Sequence, residues 1–135
     1  MAWMEPKTNW KSTDYFNAED YNRIIGNLAY LKENSCVSDK KMDFVDMGAE
    51  KTYMDFIYAR EINAIEDNLV TFNLRTYALN IGEKIVYTDN GNTPSYLEFN
   101  RIENAMLKLY NELQTHKANL PRLEFTLGRQ KGIRV

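Results

Sequence analysis

The chain has 135 residues, the length of one domain and enough to bury a hydrophobic core without a metal ion or a disulfide. Its net charge is -2 and its only cysteine is Cys36, which argues against general nucleic-acid binding and excludes a disulfide within the chain. No apolar run approaches the roughly 18 residues needed to cross a membrane, and the N-terminal residues lack the pattern of a secretory signal.

The first predicted element is a helix that follows an irregular N-terminal stretch. Asn17 is a residue type that caps helix N-termini, and Asp20 stands three residues later, where a carboxylate favours the first turn. Beyond it, apolar residues recur at the spacing of one helix face: Tyr21, Ile24, Leu28 and Leu31. This helix is expected to end near residues 34–35.

A second helix is predicted over residues 55–77. It repeats the apolar stripe at Ile62, Ile65, Leu69 and Phe72. Residues 84–88 are β-branched and aromatic, so they are expected to form a short strand. The polar residues 89–92 then indicate a turn.

A third helix is predicted to begin after Ser95, which forms a capping-box pattern with Glu98. The stripe appears again at Phe99, Ile102, Met106 and Leu109. The helix is expected to reach residues 116–117, before Pro121 and a final strand over residues 122–127. The basic residues of 118–135 indicate either a solvated tail or an arm that docks on a neighbouring subunit, for example by strand addition.

One motif is repeated in all three helices. Residues 20–28, 61–69 and 98–106 align without gaps, and each copy has an acid, an apolar residue, an asparagine and, two residues later, an isoleucine. Periods of this size are typical of stacked supersecondary units. The sequence therefore predicts a mainly α fold, a three-helix bundle of repeated helix motifs with a few short β-strands, in a single domain over residues 1–135.

The asparagines Asn22, Asn63 and Asn100 are the unusual part of this motif. Asparagine is unfavourable inside a helix because its side chain competes for backbone hydrogen bonds. We therefore expect each amide to bond to the polypeptide that enters or leaves the helix and to hold a loop against it. Arg23 and Arg101 are expected either to reach carboxylates on a neighbouring helix or partner, or to be solvated.

Chemistry-bearing residues are scarce. The only histidine, His116, cannot build a catalytic triad or a histidine-rich metal site, and Cys36 has no histidine near it in sequence. Glu103 with Glu66 or Asp67 forms a carboxylate pair of a kind that any acidic helical bundle offers. No catalytic residue, cofactor or metal ion is predicted, and the chain is expected not to be an enzyme.

Two stretches of the sequence resemble a segment found in tail-associated proteins of phages and prophages of Gram-positive bacteria. In that segment an aromatic-containing strand, a polar turn and Thr-Pro lead into a helix carrying Leu-Asn-(Arg/Lys)-Ile-Glu. Residues 85–103 carry this pattern, residues 10–24 resemble a second copy, and residues 55–72 a weaker third. Tyr87 stands where the pattern most often has tryptophan, and Ile25 stands where it has glutamate.

The resemblance implies a non-enzymatic structural or adaptor component of a phage tail, baseplate or tail-like particle, made in the bacterial cytoplasm. Its implied partners are other tail or baseplate proteins and further copies of itself in a symmetric particle, with no nucleic acid and no membrane. The alternative is an intracellular regulatory or chaperone-like helical module. The candidate motif and interface residues are Trp10, Tyr21, Asn22, Arg23, Ile24, Ile62, Asn63, Ile65, Phe99, Asn100, Arg101, Ile102, Glu103 and Phe125.

Overall fold

A computed structural model describes residues 3–35, 43–47, 49–88, 91 and 94–131, with the backbone alone for 116–131. Its helices are α1 (Ala18–Asn34), α2 (Ala59–Arg75) and α3 (Tyr96–Lys131). The predicted mainly α three-helix bundle is confirmed, whereas no strand occurs in the described residues. The predictions that concern Cys36, residues 132–135 and the side chains of His116 and Phe125 lie outside the described part.

The three helices begin at the same point of the repeat. α1 and α2 start at alanine and α3 at Tyr96, so the motif acids Asp20, Glu61 and Glu98 all stand in a first turn. The carboxylate of Asp20 accepts the Asn17 N–H (2.9 Å), and that of Glu61 accepts the Tyr58 N–H (2.8 Å). Each acid thereby satisfies a backbone donor that a helix N-terminus otherwise leaves free.

α2 starts four residues later than expected. Residues 52–55 form a turn instead, in which the Asp55 N–H donates to the Thr52 carbonyl (3.0 Å) and the Asp55 carboxylate accepts the Thr52 N–H (2.8 Å). Residues 11–14 form the equivalent turn before α1, with Asp14 in the place of Asp55. An aspartate that bonds its own turn backbone competes with helix formation, which explains the shorter helix.

The apolar stripes meet in one core. Four positions of the repeat are buried in every helix: Tyr21, Ile62 and Phe99; Ile24, Ile65 and Ile102; Leu28, Leu69 and Met106; Leu31, Phe72 and Leu109. All of them except Phe99, which stacks on Phe16, belong to one core cluster. Residues at the same position of the sequence repeat are therefore buried in all three helices.

The helices run parallel to one another. Near their starts, Arg23 of α1 meets Glu103 of α3, and seven residues further along α1 the ring of Tyr30 meets that of Tyr110. Parallel helices need long returning connections. Residues 43–58 and 76–95 belong to these connections; together with residues 3–17, which precede α1, we call them the lead segments.

Two predicted strands are wrong. Residues 84–88 pair with no strand, because the backbone of Tyr87 bonds to a helix side chain instead. Residues 122–127 belong to α3, which passes through Pro121. Leu113, Leu120 and Leu127 are spaced by seven residues, so the helical period extends through this region and outweighs the local alternation that indicated a strand. The docking-arm hypothesis therefore loses its strand-addition form.

Candidate functional site

Each motif asparagine holds a lead segment by what we call an amide clamp. In a clamp, the side-chain NH2 donates to the carbonyl of one residue and the side-chain oxygen accepts the N–H of the same residue. The clamped pairs, with distances of 2.7–3.1 Å, are Asn22 with Lys51, Asn63 with Tyr87, and Asn100 with Trp10. The prediction that each amide bonds to the polypeptide entering or leaving its own helix is confirmed for Asn22 and Asn63, whereas Asn100 holds the segment that leads into α1 instead.

The clamps of Asn22, Asn63 and Asn100 follow a cyclic order. The segment that leads into α1 is held by α3, the segment that leads into α2 is held by α1, and the segment that leads into α3 is held by α2. Every repeat is thus completed by its neighbour. The result is a pseudo-threefold arrangement within a single chain.

A second group of asparagines forms clamps that the sequence analysis missed. Asn27 and Asn68 stand five residues after the first clamp residue of α1 and α2, and Asn73 lies near the end of α2. Their clamped partners are Met4, Val45 and Leu79, respectively. The signal was present as a repeated asparagine at that spacing in two helices, but Ala105 occupies the position in the third.

Glu103 is the junction of three elements. Its side chain is fully buried and accepts the Arg23 Nε–H (2.9 Å) and Nη2–H (2.8 Å), the indole N–H of Trp10 (2.6 Å) and the backbone N–H of Lys7 (3.0 Å). The carboxylate therefore joins α3 to α1 and to the first lead segment. Four donors compensate the cost of burying its charge.

Glu66 is the equivalent junction on α2. One of its oxygens accepts the Nη2–H of Arg101 (2.5 Å) and, at 3.4 Å, the hydroxyl of Tyr87 and the N–H of Ile85. Its other oxygen is buried without a hydrogen-bond partner. Arg101 divides its guanidinium between Glu66 and Glu98 (3.4 Å), so this junction is less completely satisfied than that of Glu103.

Between the remaining two helices, α1 and α2, the equivalent positions form no ion pair. By the register of the repeat, Ile25 of α1 stands where the other helices have the buried glutamate, and Ala64 of α2 stands where they have arginine; both are buried. Lys51 stands where the other lead segments carry Trp10 and Tyr87, and its ammonium group pairs with Glu61 (2.7 Å). Between α1 and α2, the buried glutamate, the arginine and the aromatic hydrogen-bond donor are therefore all replaced by other residue types.

The arginines are firmly held in these pairs. Burial opposes the charge of Arg23, but its hydrogen bonds to Glu103 and Asp20 outweigh this effect and raise the pKa of the guanidinium. The same balance, with Glu66 and Glu98, raises the pKa of Arg101. Of the two alternatives for these arginines, contact with carboxylates on a neighbouring helix is the one that the structure shows, and the alternative that they are solvated is wrong. A nucleic-acid contact through them would have to compete with the ion pairs.

The predicted motif residues that pack the bundle lie inside it. Trp10 is 4% exposed, and the apolar candidates from Tyr21 to Ile102 are all buried. Their role in this fold is to hold the chain together. Exposed apolar side chains are a different set, which the sequence analysis did not single out: Met4, Tyr15, Val45, Tyr53, Met54, Phe56, Tyr58, Leu74, Val86, Tyr96 and Leu97.

Most of these exposed side chains lie around the helix N-termini. Two cavities, of about 760 and 410 Å³, open there and share Phe16, Pro94 and Phe99 in their walls. Tyr53 and Phe56 line the first cavity; Tyr15 and Tyr96 line the second. We call this surface the N-terminal aromatic face. Its chemistry suits contact with another protein, because aromatic side chains supply large contact areas at interfaces.

Within the described residues, no group of three or more histidine, cysteine or acidic side chains is placed to hold a metal ion. None of the helices in that part of the chain combines the length and apolar character that a membrane crossing requires. In comparisons with known proteins, no protein-family profile, curated protein or solved structure matches this chain.

Proposed function

We propose that this chain is a non-enzymatic structural component of a phage tail, baseplate or tail-like particle and acts through contacts between subunits. The observation that carries the proposal is the resemblance of residues 85–103 and 10–24 to segments of tail-associated proteins. Each of these stretches contains a clamped residue of a lead segment, Tyr87 or Trp10, and extends to buried residues of the following helix.

The N-terminal aromatic face supports the docking part of the proposal. Tyr53 is 91% exposed, Tyr15 83% and Phe56 76%, and these side chains border two neighbouring cavities. Exposed apolar surface of this kind marks contact sites between proteins more often than it marks catalytic sites. We propose that this face contacts the neighbouring tail or baseplate protein.

Particle purification tests the proposal. The chain is expected to co-sediment with tail-like particles banded from lysed producer cells, as detected by mass spectrometry. The double substitution Tyr53→Ser/Phe56→Ser is expected to leave the melting temperature unchanged and to reduce the amount found on particles at least about fivefold. Leu74→Ser is the matched control, since Leu74 is 68% exposed on α2 and lines neither cavity of the face.

Two results would count against the proposal. If the chain is absent from particles and is instead recovered from lysate bound to one soluble protein, the regulatory or chaperone-like alternative is favoured. If the chain is on particles but the double variant associates as well as Leu74→Ser does, the particle assignment stands and the aromatic face is not its contact surface.

A further inference from the structure

The three contacts made by the motif asparagines Asn22, Asn63 and Asn100 with lead segments differ in strength. We call each contact a seam and name it after the helix that supplies the asparagine. At the α3 seam, Trp10 is buried, and both its indole N–H and the backbone of Lys7 bond to Glu103. This seam therefore has hydrogen bonds from two residues of the segment in addition to the clamp.

The α2 seam is built in the same way. Tyr87 is 3% exposed, and its hydroxyl and the N–H of Ile85 approach Glu66. Leu79, Ile81 and Ile85 of the same lead segment also pack against the core. Apolar burial therefore reinforces the clamp along much of this segment.

The α1 seam lacks these supports. Ile25 offers no acceptor where the other helices have glutamate, and Lys51 forms its ion pair with Glu61 of α2 rather than with α1. Beyond the clamp, its contact with α1 is the placement of its ammonium group 5.3 Å from the centre of the Tyr21 ring. We call residues 49–58 the strap. Among them, the only side chain packed against the hydrophobic core before the helix begins is that of Ile57, while those of Tyr53 and Phe56 face solvent.

Cavities lie on both sides of the same clamp. One of about 760 Å³ and another of about 520 Å³ share Asn22 in their walls, and the second is bordered by Gly26 and Ala29 of α1. Small residues on α1, and Ile25 in place of a buried glutamate, leave the strap with few contacts on that helix. Low local burial is the usual property of segments that open without unfolding the whole protein.

We propose that the strap opens away from α1 as a local unit while the three helices stay packed, and that the Asn22–Lys51 clamp is the contact that breaks and forms. Opening frees the amide of Asn22 and carries Tyr53 and Phe56 with it. The shape of the N-terminal aromatic face is therefore adjustable on its α1 side. This inference does not depend on the particle assignment.

Hydrogen exchange on the full chain tests the proposal directly. The N–H groups of Trp10, Lys51 and Tyr87 all donate to an asparagine side-chain oxygen, so they are matched probes of the three seams. After correction for intrinsic rates, NMR is expected to show the Lys51 amide at least about tenfold less protected than both others. Equal or greater protection at Lys51 would overturn the proposal.

Substitution of the clamps provides a second test. Asn22→Ala is expected to speed exchange in the strap and to leave the thermal midpoint nearly unchanged. Asn63→Ala and Asn100→Ala are expected to lower the midpoint measurably, because their seams open only with the bundle. If Asn22→Ala lowers the midpoint as much as Asn100→Ala does, the strap is part of the cooperative unit and does not open locally.

Discussion

An asparagine side chain offers one donor and one acceptor in a plane, the same pair that a peptide group presents to its neighbour in a sheet. Asn100 uses this property to satisfy both the N–H and the carbonyl of Trp10. A lead segment can therefore lie against a helix without a partner strand. A residue type that weakens an isolated helix stabilises this bundle, because its amide faces a segment and not its own backbone.

Replacing a clamp residue is expected to have a large and specific cost. Asn100→Ala leaves the N–H and the carbonyl of Trp10 without partners beside a buried side chain, which should lower the free energy of unfolding by about 1–3 kcal/mol. Chemical denaturation measures this difference. Asn104→Ala, at an exposed position of the same helix, is the control and should change stability by less than about 0.5 kcal/mol.

At the scale of the elements, the buried charges specify the order in which the three helices follow one another around the bundle. Arg23 of α1 meets Glu103 of α3, and Arg101 of α3 meets Glu66 of α2. The reverse order of helices would place one arginine against Ile25 and leave a buried glutamate unpaired. Removing one member of a buried pair typically costs about 3–5 kcal/mol, so such an order is strongly disfavoured.

The α1 seam, which has Ile25 and Ala64 in place of the glutamate and the arginine, suggests a test of what the buried ion pairs contribute to stability. Arg101→Ala should destabilise the protein by about 3–5 kcal/mol, because Glu66 stays buried without its cation. Adding Glu66→Ile reproduces the Ala64/Ile25 combination and should recover most of that loss in a double-mutant cycle. Lys84→Ala, which removes an exposed pair with Asp67, should cost less than about 1 kcal/mol. A double variant no more stable than the single one would refute this interpretation.

The sequence predicted much at this scale. The helical repeat was visible from the spacing of its apolar residues, and the asparagine clamps were inferred because that residue type needed a reason to recur. The two departures from the tail-protein pattern are now explained by contacts. Tyr87 replaces tryptophan as the donor to Glu66, and Ile25 replaces glutamate where the partner positions hold Ala64 and Lys51.

At the scale of the whole molecule, the parallel direction of the helices was not predicted. An apolar stripe shows which face of a helix is buried but carries no information about helix direction. The long connections, residues 35–58 and 76–95, were a usable signal, because antiparallel helices are usually joined by shorter loops. The wrong prediction of a strand at residues 84–88 has a different cause. The β-branched and aromatic residues there indicated an extended segment, but its backbone bonds to a helix side chain and not to another strand.

Two buried tyrosines make the stability of the molecule sensitive to alkali. Burial, followed by the charges of Glu61 and Asp46, raises the pKa of Tyr21 to about 12, and burial with Glu66 and Glu98 raises that of Tyr87 to about 12, against an ordinary value of 10.0. Between these values the unfolded chain binds fewer protons than the folded one, so stability falls as pH rises. Below pH 10 this contribution is fully retained.

Denaturant unfolding between pH 9 and 12 measures this effect. Ionisation of these two tyrosines is expected to leave the free energy of unfolding unchanged up to about pH 10 and to lower it above that pH. The double substitution Tyr21→Phe/Tyr87→Phe is the control. It should make the decline shallower; an unchanged slope would show that the tyrosines are not its cause.

The cyclic order of the clamps has a consequence for folding during synthesis. Trp10 and Asn100 are separated by 90 residues, and the indole of Trp10 reaches Glu103 across 93. Trp10 therefore cannot take its place until the start of α3 has left the ribosome, although its lead segment is the earliest of the three to be made and Asn27 of α1 can hold Met4 before then. Contacts this distant in sequence slow folding, because a long loop must close before they form. Until then Trp10 lacks its hydrogen-bond partners on α3. The region around Trp10 is therefore made early but is among the last to reach its native contacts.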